Sequence, residues 1–363
     1  MINFTVGPVQ MDKETRKIGK QQIPYFRTPE YSSIMKENEK YLCKYFDAPE
    51  DSRVIFLTGS GTAGMEACIL NLFTDQDKVL VVNGGSFGHR LVELCQILEI
   101  PYEEIKLNYG EPLTQNILDS YDGKQFTGFL VQLCETSTGI KYDMDIIGRF
   151  CKRNNCLLFV DAISGFLADD FSMIANNVDV AITGSQKALA LPPSLSFIVM
   201  NKRSQNRVNE NKVHSMYFNL SDYLKNGERG QTPFTPAVGT LIQLNEKLHR
   251  IEYNGGVKAE NLKYASRAKY FRTKINELNL PFSQFTTDSN SSNCVTALIH
   301  KNPTFNVYNI FEILKNEYGI WICPNGGALK EKVFRVGHIG NITQKEINTL
   351  LKAFIDLQKR GVI

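Results

Sequence analysis

Lys187 stands in the stretch TGSQKALALPP, residues 183–193, between the apolar run Val178–Ile182 and a double proline. A solvated lysine needs no rigid frame, whereas an amine that must meet one particular carbonyl does. Held in a dry, cationic or hydrogen-bonded setting, such an amine loses basicity and becomes a nucleophile. Asp161 ends a second apolar run, Leu157–Val160. A carboxylate there is costly to bury unless it meets a cation or a donor. It serves either as the partner of a cationic group or as a helix cap.

Three more polar loops come after apolar runs. Residues 58–66 read TGSGTAGME, a strand end, a glycine-rich turn and a helix start. Free backbone N–H groups and the positive helix end make such a turn a cradle for an anion. Gly59, Gly61 and Gly64 also satisfy G-x-G-x-x-G, the dinucleotide fingerprint. That reading requires an acidic residue ending the next strand, and Lys78–Val82 runs instead into Asn83-Gly84-Gly85. Phe87 comes next, able to lie flat on a planar ring or to fill the core at a helix start. Residues 135–139, ETSTG, offer three hydroxyls in a row, which equally suits a helix cap. Taken together, an anion cradle, an aromatic plate, hydroxyl donors, a buried aspartate and an activated lysine match what pyridoxal phosphate requires. The phosphate needs N–H donors and the ring a stacking partner. The pyridine nitrogen needs a carboxylate, and the aldehyde needs a lysine Schiff base.

These loops need elements to hold them. Strand-like runs at Arg53–Leu57, Lys78–Val82, Gly128–Leu133, Leu157–Val160, Val178–Ile182 and Ser196–Met200 alternate with helix-like stretches such as Ala63–Phe73, Phe87–Leu98 and Ile146–Asn154. Nearly continuous apolar strands imply a mainly parallel sheet buried on both faces, an α/β architecture of three layers whose ligands bind beyond the strands' carboxyl ends. From about Glu252 the pattern changes to long amphipathic segments, Val257–Leu278 and Gln344–Lys359, around short strands near Val295–Ile299 and Val333–Val336. The expected division is an extended arm over residues 1–25, a large cofactor-binding domain over 26–252 and a small α+β domain over 253–363.

Bulk properties narrow the function classes. A net charge of +3 over 363 residues points to neither nucleic acid nor an anionic membrane. No run approaches the roughly 18 apolar residues of a membrane span, and the N-terminus shows no secretory signal. The eight cysteines include no C-x-x-C pair and the five histidines are scattered, so no metal site is expected. A cytoplasmic protein with reduced thiols is the expectation.

The blocks TVGPVQ, RTPEY, TGSGTAGMEA, VVNGGSFGHR, ETSTG, VDAISG, TGSQKALALPP, TPFTPAV and FRVGHIG run in order from residue 5 to 340. In them the chain resembles the class V aminotransferases of the pyridoxal-phosphate fold type I group, near the alanine–glyoxylate and serine–pyruvate transaminases. The resemblance implies a mostly parallel seven-stranded sheet in the large domain. It implies that Lys187 is the Schiff-base lysine and that Asp161 faces the pyridine nitrogen. Phe87 would stack on the ring, Gly61, Thr62 and Gln186 would hold the phosphate, and Thr136 would donate near the ring oxygen. Arg335 would pair with the substrate carboxylate, for which a bidentate guanidinium is suited, and Gly7 would lie near the substrate. Thr232 or Thr235 would come from the neighbouring subunit, which implies a homodimer with shared active sites. Two positions depart from the family: Phe26 stands where His is common before Arg27, and Ser194 stands where Gly often comes after the double proline.

The function so implied is a ping-pong transamination from a small amino donor, of the alanine or serine type, to pyruvate or glyoxylate. Lys187 would carry the proton between substrate and cofactor. The alternative within the family is 2-aminoethylphosphonate–pyruvate transamination. Remoter readings are a lyase or desulfurase using Cys323, a nicotinamide dehydrogenase on Gly59–Gly64, and a binding protein without turnover.

Overall fold

In the computed structural model, which describes residues 1–363, seven strands form one sheet. They are β1 (Arg53–Thr58), β2 (Val79–Asn83), β3 (Tyr102–Lys106), β4 (Gly128–Gln132), β5 (Leu157–Asp161), β6 (Val180–Gly184) and β7 (Leu195–Met200), in the order β1-β7-β6-β5-β4-β2-β3. Only β7 runs against the others, pairing antiparallel with both β1 and β6. The carboxyl ends of β1, β2, β4, β5 and β6 therefore open on one edge of the sheet. The strands read as unbroken apolar runs because both faces are covered. Val54, Phe56, Leu80 and Val82 belong to one buried cluster and their neighbours Ile55, Leu57, Val79 and Val81 to another.

The residue pattern supplied six of these strands and the family resemblance the count of seven. The strand the pattern missed is β3, Tyr-Glu-Glu-Ile-Lys, at the sheet's edge. An edge strand keeps one side near water, and charged side chains there discourage pairing with another chain, so it carries no apolar run to detect.

The first residues are not a plain extended arm. They contain a short helix, α1 (Lys13–Ile18), capped by Asp12, whose carboxylate accepts from Thr15 N at 2.8 Å. Arg250 and Lys247 grip the same carboxylate at 2.9 Å and 3.2 Å and hold its pKa well below the usual range, against the upward push of burial. Beyond α1 come α2 (Pro29–Tyr45), α3 (Gly61–Leu72), α4 (Ser86–Ile97), α5 (Met144–Arg153) and α6 (Val238–Tyr253), the helix that carries Lys247 and Arg250. A second sheet of four antiparallel strands, β8 (Phe282–Gln284), β9 (Val295–His300), β10 (Cys323–Pro324) and β11 (Val333–Gly337), has the order β8-β9-β11-β10. It packs with α7 (Gly256–Glu277) and α8 (Gln344–Lys359), whose start is a reciprocal capping box between Thr343 and Glu346.

Helix α5 shows how tightly the layers fit. A methyl group added at Gly148 would lie 2.1 Å from the backbone oxygen of Asn176, and backbone cannot rotate away as a side chain can. Gly148→Ala should lower unfolding stability by about 1–3 kcal/mol, the usual range for overpacking. The check is a urea titration in which the midpoint falls and the slope is unchanged.

Candidate active site

The loop after β6 answers why Lys187 is framed as it is. Ser185 Oγ donates to Pro192 O at 2.7 Å and accepts from Ser194 N and Leu195 N at 3.2 Å and 3.1 Å. One hydroxyl thus welds the two ends of the loop, and Ala190 takes a left-handed turn at φ 54° between them. The amine of Lys187 is directed at the N-terminal segment, donating to Val6 O at 2.9 Å. Gly7 lets that segment pass: at φ 136° a Cβ would sit 2.7 Å from Lys187 Cδ and 2.9 Å from its Nζ.

Lys187, Gln186, Asp161, Phe87, Thr136, Gly61 and Thr62 line one cavity of about 170 Å³, together with Arg90, Ile163 and Ser164. A larger cleft of about 620 Å³ at Arg203, Arg207 and Asn155 contains no lysine. On the floor of the cavity, α3 begins with no side chain capping its first turn, so its leading N–H groups are open to an anion. Gly61 leaves that turn open on the cavity side, where a Cβ would have to push aside the Ile163 methyl, 2.3 Å away. Gln186 contributes a buried Oε1 without a partner. Thr136 Oγ1 donates to Ser164 Oγ at 2.7 Å.

Burial works against both charges at the site. Asp161 is 4% exposed, and burial pushes its pKa up to about 7, helped by the charge of Glu135. The amide of Ile163, donating to its Oδ1 at 2.8 Å, and the amine of Lys187 pull the other way. Lys187 is half-buried by surface but surrounded by protein, and burial lowers its pKa. Cys294 and Asp161 oppose that shift, while the Arg335 guanidinium adds to it.

Arg335 lies just outside this lining, on β11. Its Nη1 donates to Thr136 O at 3.3 Å and its Nη2 to Pro324 O at 2.6 Å, while Nε is buried without a partner. Thr232 and Thr235 do not line the cavity of their own chain. Thr232 is buried and bonds Phe234 O at 2.6 Å, and Thr235 is exposed. The two departures from the family sit quietly in this fold. Ser194 Oγ bonds Thr240 on α6 at 2.8 Å, and Phe26 packs edge-on to Tyr31.

Two residues of the site do not stand out in the sequence. Glu135 is 0% exposed and caps α4 from another part of the chain. One oxygen accepts from Phe87 N and Gly88 N at 3.1 Å and 2.9 Å, the other from Ser137 N and Oγ. Gly85 makes room, since a Cβ would meet Glu135 Cδ at 2.5 Å. The glutamate opening ETSTG was the available signal, but only the fold sets it under α4. The other such residue is Arg90, one helical turn beyond Phe87.

A class-V aminotransferase family model matches residues 25–328. The chain belongs to the class V aminotransferases, enzymes that depend on pyridoxal phosphate. It is 29% identical to the soluble hydrogenase 42 kDa subunit of Anabaena cylindrica, over 88% of this chain and 83% of that one. It is 28% identical to the L-aspartate–glyoxylate aminotransferase of Paracoccus denitrificans, over 94% and 86%. The 2-aminoethylphosphonate–pyruvate transaminase of Bacillus cytotoxicus is 26% identical, over 99% and 97%. The solved aspartate aminotransferase of Thermus thermophilus aligns with a TM-score of 0.90 at 25% identity, covering 99% of each chain. The alanine–glyoxylate aminotransferase of a Nostoc species aligns at 0.92 and 23%, covering 99% of this aminotransferase and 96% of that one.

The raised pKa of Asp161 makes a measurable demand on the cofactor-free enzyme. The native acid keeps its proton up to about pH 7, whereas the carboxyl's ordinary value is 3.8. Between those values the native state binds the extra proton, so this residue's contribution to stability falls as pH rises. The melting temperature of cofactor-free wild type should therefore drop relative to that of Asp161→Asn across this window. Parallel melting curves would contradict the burial cost.

Proposed function

We propose that this aminotransferase binds pyridoxal phosphate in the cavity at Lys187 and moves an amino group from a small amino donor, of the alanine or serine type, to pyruvate or glyoxylate. The carrying observation is the pairing of a buried acid and a desolvated amine at the ends of adjacent strands β5 and β6, above the open first turn of α3. The uncapped N–H groups of α3 fit the cofactor's phosphate, and Gln186 beside them offers the donor NH2 of its amide. When bound, the cofactor supplies an electron sink for charge that develops on the substrate carbon.

In this reading the amine of Lys187 would hold the cofactor at its carbonyl carbon, and the cofactor when bound would supply a carbonyl for the donor's amine. The lowered basicity of Lys187 leaves it able both to take the proton from the substrate Cα and to return one, as general base and acid. Asp161 holds the pyridine nitrogen in its protonated form. Phe87 supports one face of the ring, and Thr136 donates to the ring oxygen. Gly61, Thr62 and Gln186 hold the phosphate. Arg335 offers its guanidinium to the substrate's acid group, with Gly7 leaving space for it. The second half-reaction runs the same proton transfers in reverse on the keto acid.

A 2-aminoethylphosphonate donor is the second reading, favoured by the near full-length match to the Bacillus enzyme and by Arg335, which can pair with a phosphonate as with a carboxylate. We further read the enzyme as a homodimer with shared sites. The exposed Thr235 and the apolar surface residues Ile23, Tyr25, Met216 and Tyr217 support a second copy seated there. Thr235 is better placed than the buried Thr232 to reach a neighbour's site. The two separate sheets support the division into an arm (1–25), a large domain (26–252) and a small domain (253–363). All eight cysteines are unpaired, which supports a reducing, cytoplasmic setting. No helix is long and apolar enough to cross a membrane.

The decisive experiment mixes purified enzyme with pyridoxal phosphate and then with alanine, serine, glycine, glutamate or 2-aminoethylphosphonate. Wild type should acquire the yellow band of lysine-bound cofactor, and Lys187→Ala should not. A band retained in the variant would defeat the assignment of Lys187. Loss of the band with one donor names the first half-reaction, and bleaching by the phosphonate alone would select the second reading. Arg335→Lys should raise KM for the favoured donor by about tenfold or more, because an ammonium cannot reproduce the bidentate fork. An unchanged KM would remove Arg335 from substrate binding.

A further inference from the structure

Arg90 has a place in the cavity that the proposed proton transfers do not use. It is on α4 one turn after Phe87, and its guanidinium lies over the Phe87 ring, 5.1 Å from the centroid. From there Nη1 donates to Thr62 Oγ1 at 3.2 Å, so it bridges α4 to the open first turn of α3. Its only side-chain hydrogen bond is to that neutral hydroxyl, and no carboxylate pairs with it. The acid nearest α4, Glu135, has its oxygens taken up by four donors from Phe87, Gly88 and Ser137. The site therefore has a guanidinium with no ion-pair partner beside an anion cradle, clamped on the aromatic plate, with Asp161 of the same cavity near enough to feel its charge. A guanidinium so held meets a phosphate oxygen with charge-assisted hydrogen bonds.

We propose that Arg90 is the cation that compensates the cofactor's phosphate in this site, and that its stacking on Phe87 ties phosphate binding to the placement of the ring. This rests on the reading of the cavity as the pyridoxal phosphate site. It adds a charged residue to a phosphate site otherwise made of Gly61, Thr62 and Gln186, which are all neutral. The bridge to Thr62 sets the cation at the helix start, where a bound dianion gains from the dipole and from Arg90 together.

The test compares pyridoxal phosphate with pyridoxal, which has the same ring and aldehyde but no phosphate. Dissociation constants for both are measured on cofactor-free wild type, Arg90→Gln and Arg90→Lys from the visible band and quenching of protein fluorescence. Arg90→Gln should weaken pyridoxal phosphate by about tenfold or more, as loss of a charge-assisted contact implies. Pyridoxal should change by less than about twofold, and Arg90→Lys should retain most of the phosphate-dependent affinity. Equal losses for both compounds would make Arg90 a support for Phe87 only and overturn the proposal, as would no loss for either. Should Arg90→Gln fail to fold, wild type is treated with phenylglyoxal, which modifies arginine, and Arg90 is tracked by peptide mapping. Inorganic phosphate should slow modification of Arg90 relative to chloride at equal ionic strength, and equal rates would overturn the proposal. Wild type that binds neither compound overturns the cofactor reading along with this one. Wild type that binds both, with equal losses in Arg90→Gln, overturns this inference alone.

Discussion

Two ionisable groups of opposite sign, Asp161 and Lys187, are both held where burial disfavours their charged forms. Most of the surrounding structure serves to hold them there. A free chain would expose both groups to water, and a single loop could not keep them dry. Adjacent strands β5 and β6 fix their starting points, and Ser185 locks the loop that delivers the lysine. The N-terminal segment then closes over the amine, its Val6 carbonyl accepting a hydrogen bond that water would otherwise receive. An amine kept this way is less basic and more nucleophilic, which is what chemistry at a carbonyl requires.

Close approach is the second theme, and it explains the glycines that matter. Gly7 lets the arm cross Lys187, Gly61 lets α3 start beside Ile163, and Gly85 lets Glu135 reach under α4. At Gly7 and Gly85 a methyl group would collide with Lys187 and Glu135, and at Gly61 with the movable end of Ile163. The arm is in turn tied at its root by Asp12 to Arg250 and Lys247 on α6. Contacts far from the cavity therefore bear on the position of the amine.

Arg335 reaches the same region from the second sheet. β9 and β11 pair so that Ala297 stands opposite Arg335, and the guanidinium crosses to bond the Thr136 carbonyl beside the cavity. The second sheet thus meets the cavity at its edge, through one arginine, while the lining itself comes from the first sheet's loops.

Much of this was legible in the residues alone. Apolar runs of four to six residues bounded by glycine-rich and polar turns read as strands covered on both faces, so six strands and their polar ends were visible, and with them Lys187, Asp161, the open start of α3 and Phe87. These signals are local: each depends on the few residues next to a strand's carboxyl end. The edge strand β3, the helix α1 and the partners of Glu135 and Arg90 were not visible. β3 lies at an edge where polar residues serve as well as apolar ones. α1 is held by residues more than two hundred positions away, and Glu135 meets α4 across 48 positions. A sequence by itself determines which side chains are available and the period on which each is presented. Which of two distant polar groups becomes the other's partner is decided only in the folded chain, because a buried charge takes whatever donor the packing brings within about 3 Å.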